Sequence, residues 1–410
     1  MRVLWFSINP CGSIKRGGSL QYFGGWIVSL EQELKKNPSI QLSVSYITKG
    51  DDTSFDFDGV SYYPIKKTRF DNLITRIKGK HSINIVPKCL EIINKVKPDI
   101  IHIHGTEHPF PLLVGNTNIP IVISMQSILA PYADKYFSGI PEHFALKHDS
   151  LKYKLFFLGS YAMYKLTCNT AANELNAYKK LKYIIGRTDW DYCISRLIAP
   201  SSKYYKCDEI LRDLFYSDKW ESPNNEILTL VTTMSDSLYK GLEVVYRTSE
   251  LLKENNVRFN WYIIGQSQNT NYEKMVRKFT KVNPSDVNVM LLGRMNPQEM
   301  INIMKRSDIF VQVSHIENSP NSLCEAMILG MPIIASYAGG TNSLLHENIE
   351  GLLYQDGDCY SLAGKILYLS LNKDMAIDFG VKARCLALER HNKNKIVNQI
   401  INCYKDIISV

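Results

Sequence analysis

Two glutamates, Glu317 and Glu325, have seven residues between them in the stretch HIENSPNSLCEAMILGMPIIASYAGG, residues 315–340. Glu317 follows a predicted strand, and Glu325 lies in the first turns of a predicted helix. The loop between them opens onto the helix start, where free backbone N–H groups and the helix dipole favour a diphosphate. A carboxylate there accepts hydrogen bonds from sugar hydroxyls. The pattern predicts a ligand with sugars on both sides of a phosphate group, a nucleotide sugar; a capped surface helix is the alternative.

Alternating strands and helices must position these two carboxylates. Apolar runs predict strands at residues 3–8, 42–48, 100–104, 119–125, 228–233, 259–264, 287–292, 309–313 and 332–335. Helical patterns between them include residues 241–255 and 321–329, and a helix that begins at Asn296 with Pro297 and Glu299 in its first turn. This alternation predicts an α/β fold with two doubly wound, Rossmann-like domains facing each other across a cleft.

The Pro-Asn composition of residues 221–226 predicts a linker between the two domains. We therefore expect an N-terminal domain over residues 1–221 and a C-terminal, donor-binding domain over residues 222–390. Residues 391–410 form an amphipathic helix that we expect to pack back towards the first domain.

The residues after Glu325 carry a family resemblance. Ala326-Met327, the Gly330-Met331-Pro332 step, a strand and the Gly339-Gly340 turn follow it in order. This phrase resembles the donor site of glycosyltransferase family 4, which has the GT-B fold, and the resemblance extends over essentially the whole chain. It implies a retaining glycosyltransferase of the bacterial capsule, O-antigen or exopolysaccharide type. The partners it implies are a nucleotide-sugar donor and a glycan or lipid-linked acceptor, with no cofactor and no metal.

The resemblance also assigns donor-binding residues. Lys240, the next-to-last residue of SDSLYKG (residues 235–241), takes the place of the family's phosphate-binding lysine, although a solvated lysine at a helix start is the alternative. The position of a common family arginine holds Met234, so Ser235 or Arg294 must supply part of the phosphate binding. The family has a glycine-rich loop after the first strand, and two glycine pairs occur there, at residues 17–18 and 24–25. The pair at 24–25 is favoured for that loop because a helical pattern follows it directly. The full donor set is Gly24, Gly25, Ser235, Lys240, Gly265, Arg294, Glu317, Asn318, Ser319, Pro320, Asn321, Ser322, Leu323 and Glu325.

A second polar cluster ends the strand at residues 100–104. Alternation puts His102 and His104 on the same side of that strand. The resemblance implies that His104 contacts the donor sugar, which makes His104, Glu317 and Lys240 the catalytic set. His102 is expected to pack inside the sheet. The acceptor-side residues are expected to be Glu107, His108 and Gln126.

The net charge of +8 is uneven along the chain. Residues 1–220 carry 29 Lys and Arg against 20 Asp and Glu, whereas residues 221–410 carry 19 against 20. No groove-reading or aromatic motif accompanies the basic clusters near Lys66 and Lys179, which argues against nucleic acid as a partner. They fit an anionic membrane surface or a diphosphate-linked acceptor, and solvated surface charge is the alternative. Nine scattered cysteines without a CxxC pair favour free thiols and therefore a cytoplasmic protein. If the basic half binds lipid, we expect the protein to be peripheral at the inner face of the membrane.

Two other functions stay open. A nucleotide-sugar 2-epimerase shares the two-domain fold but is expected to lack this donor phrase. A sugar-binding homologue without catalysis is disfavoured because Glu317, Lys240, Glu325 and His104 are intact. Donor hydrolysis, transfer and binding without turnover separate the three.

Overall fold

The computed structural model describes residues 1–17, 25–81 and 84–409 of the 410-residue chain. The chain divides into two compact units. Unit 1 contains Met1–Ala133, Tyr161–Ile210 and His391–Val410, and unit 2 contains Asp134–Ser160 and Leu211–Arg390.

This division differs from the predicted domains, because residues 134–160 and 211–221 pack in unit 2. Phe144 lies against Phe279 with ring centroids 5.1 Å apart. The backbone N–H of Trp220 donates to the Leu329 carbonyl over 2.7 Å. The Pro-Asn composition of residues 221–226 indicates a turn, and it carries no information about which side chains pack before it.

Unit 1 is built on a largely parallel sheet. Its described strands are β1 Arg2–Ser7, β2 Gln41–Thr48, β3 Phe55–Phe57, β4 Val60–Lys66, β5 Ile100–His104, β6 Ile121–Ser124, β7 Tyr183–Gly186 and β8 Lys203–Lys206, in the order β3-β4-β2-β1-β5-β6-β7-β8. Only the β3–β4 pair among them is antiparallel. In register, Val3 lies between Leu42 and Ile100.

Helices cover both faces of this sheet, since residues 3–6 of β1 are fully buried, as expected for a parallel sheet covered on both sides. The helices in or bordering the unit are α1 Gly25–Leu34, α2 Arg69–Lys78, α3 Ile85–Val96, α4 Leu129–Asp134, α7 Ser160–Tyr178, α8 Asp189–Ile198 and α16 Lys393–Ile408. The intervening α5 Glu142–His148 and α6 Leu151–Leu155 belong to unit 2. The last helix, α16, buries Ile400 and Tyr404 in the core of unit 1.

Unit 2 is built on a parallel sheet whose described strands follow the order β11-β10-β9-β12-β13-β14. They are β9 Leu228–Thr233, β10 Phe259–Ile264, β11 Val289–Gly293, β12 Ile309–Gln312, β13 Ile333–Tyr337 and β14 Leu352–Gln355. Its remaining helices are α9 Asp213–Ser217, α10 Leu242–Glu254, α11 Asn271–Thr280, α12 Pro297–Lys305, α13 Asn321–Leu329, α14 Cys359–Leu371 and α15 Lys373–Arg390.

Local signals explain several of these boundaries. At the start of α12, the Asn296 side chain accepts from the Glu299 N–H, and the Glu299 carboxylate accepts from the Asn296 N–H, which forms the capping box that the sequence predicts. The C-cap of α13 is Gly330, which is in the left-handed region with φ 86°. None of the described helices combines the length and apolarity needed to cross a membrane.

Candidate functional site

Four strand ends of unit 2 gather the predicted donor residues at one edge of the sheet. Ser235 follows β9, Gly265 follows β10, Arg294 follows β11 and Glu317 follows β12. These strands are neighbours and parallel, so their carboxyl ends share an edge, where ligands of doubly wound sheets bind. A backbone hydrogen bond joins the turns after β10 and β11, in which the Gly265 N–H donates to the Gly293 carbonyl over 2.7 Å.

Lys240 and Glu317 form a largely buried ion pair at this edge. Lys240 Nζ lies 2.5 Å from Glu317 Oε1, and their side chains are 18% and 10% exposed. Burial alone would lower the pKa of Lys240, but the Glu317 carboxylate outweighs it and raises that pKa above its ordinary value. The lysine is therefore a stable cation across the neutral pH range.

Two glycines fix the backbone on either side of this pair. Gly241 has φ 79°, and a Cβ there would lie 2.1 Å from the carbonyl oxygen of Val313. Gly339 has φ 56°, and its Cβ would lie 2.0 Å from the Glu317 carbonyl, which also accepts from the Gly340 N–H at 2.9 Å. Only glycine fits either place. The Gly-Gly turn after β13 thus supports the loop that carries Glu317.

The segment between the two glutamates leads into α13. It contains the predicted residues Asn318, Ser319, Pro320, Asn321, Ser322 and Leu323. Asn318 is 1% exposed, and Pro320 occupies the cap position. A proline side chain has no acceptor, so Pro320 makes no side-chain hydrogen bond to the first-turn N–H groups of α13. These groups and the helix dipole make this end of α13 suited to an anion.

Glu325, the fifth residue of α13, is 3% exposed. Its carboxylate is held by Arg212, with Nε 2.6 Å from Oε1 and Nη2 2.6 Å from Oε2. Burial raises the pKa of Glu325, and Arg212 opposes that rise. The sequence analysis missed Arg212, because a single arginine 113 positions from its partner carries no local signal.

His315 forms a second cluster that the sequence analysis missed. Its Nε2 lies 2.5 Å from Glu243 Oε1, and its Nδ1 lies 2.6 Å from Asp356 Oδ1. Burial opposes a charge on the ring, but the carboxylates of Asp356 and Glu243 raise the pKa of His315 to about 9. A Cβ on Gly139, in the segment between α4 and α5, would lie 1.9 Å from Glu243 Oε1. An imidazolium with both nitrogens engaged acts as a structural cation two residues before Glu317.

In unit 1, His102 and His104 occupy different environments at the end of β5. His102 is fully buried, with Nδ1 2.6 Å from the Tyr404 hydroxyl and Nε2 2.7 Å from Ser124 Oγ, which fits the packing role expected for it. His104 is 2% exposed, and neither ring nitrogen has a hydrogen-bond partner among the described residues. Burial and then the nearby charges lower its pKa well below the ordinary value, so this imidazole is neutral. It can accept or donate one hydrogen bond when a polar ligand reaches it.

The acceptor-side predictions separate into two groups. Glu107 Oε1 accepts from the N–H of Ser127 at 3.3 Å and from its hydroxyl, and a Cβ on Gly105 would contact both Glu107 and Gln126. His108 lies instead in an aromatic group, with its ring centroid 6.2 Å from that of His81. Glu107 and Gln126 are therefore neighbours, and His108 packs beside other rings.

Arg187 is another charged residue that the sequence analysis did not select. It follows β7, its side chain is 6% exposed, and its Nε lies 3.4 Å from Glu209 Oε2. The guanidinium stacks over the ring of Trp26 at 4.6 Å. Because its charge also acts on His104, Arg187 places a buried cation near that histidine.

Some predictions concern residues at or beyond the limits of the described chain. Gly24 lies outside the described residues, as does Gly18 of the alternative pair. Gly25 is the first residue of α1. Within residues 1–17, 25–81 and 84–409, no three His, Cys, Asp or Glu side chains are grouped as metal ligands.

Comparison with known proteins finds sequence similarity to glycosyltransferases. Residues 216–385 match the family model for glycosyl transferases group 1. A 169-residue stretch is 27% identical to the amylovoran biosynthesis glycosyltransferase AmsK of Erwinia amylovora. That stretch covers 39% of this chain and 40% of the relative, so the match spans less than half of either protein.

Solved structures match over the whole chain. Sucrose-phosphate synthase from Thermosynechococcus elongatus aligns with a TM-score of 0.73 at 13% identity, covering 100% of this chain and 99% of that one. Anabaena Alr3699/HepE, solved in complex with UDP-glucose, aligns with a TM-score of 0.66 at 14% identity, covering 99% and 100%. At such low identity these matches show the fold, and the predicted GT-B class with two Rossmann-like domains is confirmed.

Proposed function

We propose that this chain is a retaining glycosyltransferase of family 4, which moves a sugar from a nucleotide-sugar donor to a glycan or lipid-linked acceptor. The observation that carries the proposal is the arrangement of Lys240, Glu317 and Glu325 around the start of α13 in unit 2. The family match over residues 216–385 covers all three residues. The relative named for amylovoran biosynthesis supports a role in making a bacterial surface polysaccharide.

The donor would be bound along this edge of unit 2. Lys240 and the first-turn N–H groups of α13 carry the positive charge that a diphosphate needs. Glu317 stands beside the cation and can accept from sugar hydroxyls, while Glu325 can accept from the ribose. The UDP-glucose in the complex of the Anabaena protein makes uridine diphosphate sugars the first donors to test.

The chemistry we propose is the front-side mechanism that the family resemblance implies. The bond from the anomeric carbon to the phosphate oxygen breaks, and its electron pair leaves with the nucleoside diphosphate. The transition state is oxocarbenium-like, so stabilising the departing charge lowers the barrier. Lys240 and the start of α13 supply that stabilisation without a metal. The acceptor oxygen bonds to the same face of the sugar, its proton passes to the leaving phosphate, and the configuration is retained.

Unit 1 carries the residues proposed for the acceptor side, and His104, for which the resemblance implies a contact with the donor sugar. His104 is neutral and has unfilled hydrogen-bonding capacity, which suits a contact with a sugar hydroxyl. Glu107 and Gln126 are neighbours after β5 and β6; a carboxylate accepts from hydroxyl groups, and an amide can both donate to them and accept from them.

A panel of nucleotide sugars, scored for release of nucleoside diphosphate with and without oligosaccharide or lipid-linked acceptors, tests the proposal. A transferase releases diphosphate in step with product, and NMR of the new linkage should show the donor's anomeric configuration. Formation of a 2-epimer would favour an epimerase. Binding of the nucleotide sugar without turnover would favour a sugar-binding protein.

We further propose that unit 1 binds an anionic membrane surface. Unit 1 carries 26 Lys and Arg against 16 Asp and Glu, whereas unit 2 carries 22 against 24. In α2 the apolar side chains of Phe70, Leu73 and Ile77 are 68%, 43% and 47% exposed. Arg76 and Lys78 lie in the same helix. A helix with exposed apolar side chains and basic neighbours is typical of binding at a lipid interface.

Sedimentation with vesicles tests this surface. We expect pelleting with phosphatidylglycerol-containing vesicles and little with pure phosphatidylcholine, decreasing as salt rises, because each basic residue contributes about 1 kcal/mol near an anionic surface. Arg76→Glu with Lys78→Glu should reduce pelleting several-fold. The matched control, Arg258→Glu with Lys373→Glu, reverses two exposed charges of unit 2 and should leave it unchanged. Equal pelleting with both lipids, or none with either, would remove the proposal.

A further inference from the structure

Arg212 donates hydrogen bonds to both oxygens of the Glu325 carboxylate. Two parallel N–H···O contacts of 2.6 Å join the guanidinium to the carboxylate, which is the bidentate geometry that arginine favours. Arg212 directly precedes α9 and directly follows Leu211, the residue at which the chain re-enters unit 2.

The Arg212–Glu325 ion pair is largely buried in unit 2. The Glu325 side chain is 5% exposed and that of Arg212 is 19% exposed. The guanidinium packs over the ring of Phe215 at 4.8 Å and touches Met300 Sδ at 3.7 Å. Packing on both partners holds the pair in one orientation, and a buried carboxylate without such a partner would be costly.

Other cations near α13 serve different partners. Arg384, from α15, donates to the carbonyl oxygens of Asp218 and Ile328. Lys305, at the end of α12, lies 2.5 Å from Asp218 Oδ1. Among the described residues, Arg212 is the charged group that acts on Glu325. The ionised state of Glu325 therefore depends on Arg212.

The remaining acceptor capacity of Glu325 matches a diol. A carboxylate offers about four lone-pair positions over its two oxygens, and the bidentate arginine uses one on each oxygen. One position per oxygen remains, in the plane that Arg212 fixes. Two adjacent hydroxyls, such as those of a ribose, can donate to these two positions together.

We propose that Arg212 is a positioning residue for nucleotide binding: it holds Glu325 ionised and oriented so that both carboxylate oxygens accept from the ribose diol. This inference rests on the proposed function, because it takes the ligand to be a nucleotide sugar. Arg212 remains on Glu325 when the nucleotide binds. If Arg212 instead had to leave Glu325 for the ribose to enter, removing it would strengthen nucleotide binding, so the two possibilities predict opposite signs.

Calorimetry on the full chain with UDP, or with the nucleoside diphosphate that the donor panel identifies, tests the sign. We expect Arg212→Met to weaken binding at least about tenfold at pH 7.5. The loss should grow as the pH falls towards 6, because burial already raises the pKa of Glu325 and loss of Arg212 raises it further. A protonated Glu325 has one oxygen that donates and no longer accepts from the diol. The wild-type affinity should change little over this range.

Three variants separate positioning from a general loss of structure. Arg212→Lys keeps the charge without the planar fork, so it should weaken binding while keeping the flat pH profile. In a Glu325→Gln background, Arg212→Met should cost several-fold less than in wild type. Arg384→Met removes a different arginine that contacts α13 and should leave the pH profile flat.

Each outcome decides one of the two claims. Equal or tighter binding by Arg212→Met, or a pH profile unchanged from wild type in a folded protein, overturns the positioning role and leaves the proposed function standing. Failure of the wild-type chain to bind any nucleoside diphosphate overturns the proposed function and this inference with it.

Discussion

Replacing Lys240 with methionine should separate the two roles of this lysine. In the structure Lys240 neutralises Glu317 over 2.5 Å, and under the proposed function it also binds the donor diphosphate. Methionine keeps most of the side-chain volume and removes the charge. The variant should lose stability because Glu317 is left unpaired, and it should lose diphosphate affinity because the cation is gone.

The magnitudes follow from burial and from the kind of interaction lost. Breaking a buried ion pair by removing one partner costs about 3–5 kcal/mol, and the 18% and 10% exposure of these side chains puts the expected loss at the lower end. Loss of a charged hydrogen bond to the phosphates costs about 1.5–3 kcal/mol, roughly 10- to 150-fold in affinity. Loss of transition-state stabilisation should lower kcat by a further factor of about 10²–10³ if Lys240 acts as an oxyanion-type donor.

Urea unfolding and calorimetry measure the two losses independently. Adding Glu317→Gln to Lys240→Met should restore most of the lost stability, since it removes the unpaired carboxylate. Uridine, which lacks the diphosphate, should bind Lys240→Met and the wild-type chain alike, whereas UDP should bind the variant more weakly. An equal loss of affinity for uridine and UDP in a folded variant would refute the phosphate role, and an undiminished stability would refute the ion-pair argument.

Glu325→Ala should raise the donor dissociation constant at least about tenfold, because a charged hydrogen bond to the ribose is lost; unchanged affinity by calorimetry in a folded variant would contradict this role. EDTA should leave turnover intact, since the proposed phosphate charge comes from Lys240 and the start of α13; loss of activity that magnesium or manganese restores would show that a metal supplies it. The chain should lose stability as the pH rises through about 9. The ordinary pKa of an unfolded histidine is about 6.5, and despite its burial the carboxylates around His315 raise its folded pKa to about 9, so its contribution is complete below pH 6.5 and lost above 9. A shift of that size is worth roughly 3 kcal/mol, and His315→Gln should flatten the dependence in urea unfolding between pH 6.5 and 9.5.

The sequence predicted the parts of the fold that local patterns encode. The predicted strands at residues 100–104, 228–233 and 259–264 coincide with β5, β9 and β10, because their apolar runs are bounded by turn residues. The predicted helix at residues 321–329 coincides with α13, and Gly330, at which the sequence predicts its end, is its C-cap. Between residues 125 and 228 the sequence analysis predicted no strand, whereas the structure has β7 and β8 there. Both runs are only four residues long, and the β8 run consists of Lys and Tyr, so neither stands out as a buried strand.

The candidate site divides in the same way. Glu317, Glu325 and the loop between them form one continuous phrase, so their types and spacing could be recognised without coordinates. Arg212 and Glu243 reach Glu325 and His315 across 113 and 72 positions, and nothing near them in the sequence indicates the partner. Such pairs depend on how α9 and α10 pack against the sheet, which periodicity does not encode.

Two ion pairs of unit 2, Lys240–Glu317 and Arg212–Glu325, are expected to respond differently when a donor binds. Lys240 is paired with Glu317 in the structure, and under the proposed function a diphosphate takes over that cation. Glu317 is then released to accept from sugar hydroxyls, so the charge of the phosphate prepares the carboxylate that binds the sugar. Arg212 keeps its partner, since Glu325 can serve the ribose with the lone pairs that the guanidinium leaves open. A free sugar supplies no anion to replace Glu317 at Lys240, and this asymmetry favours a sugar that arrives attached to a nucleoside diphosphate.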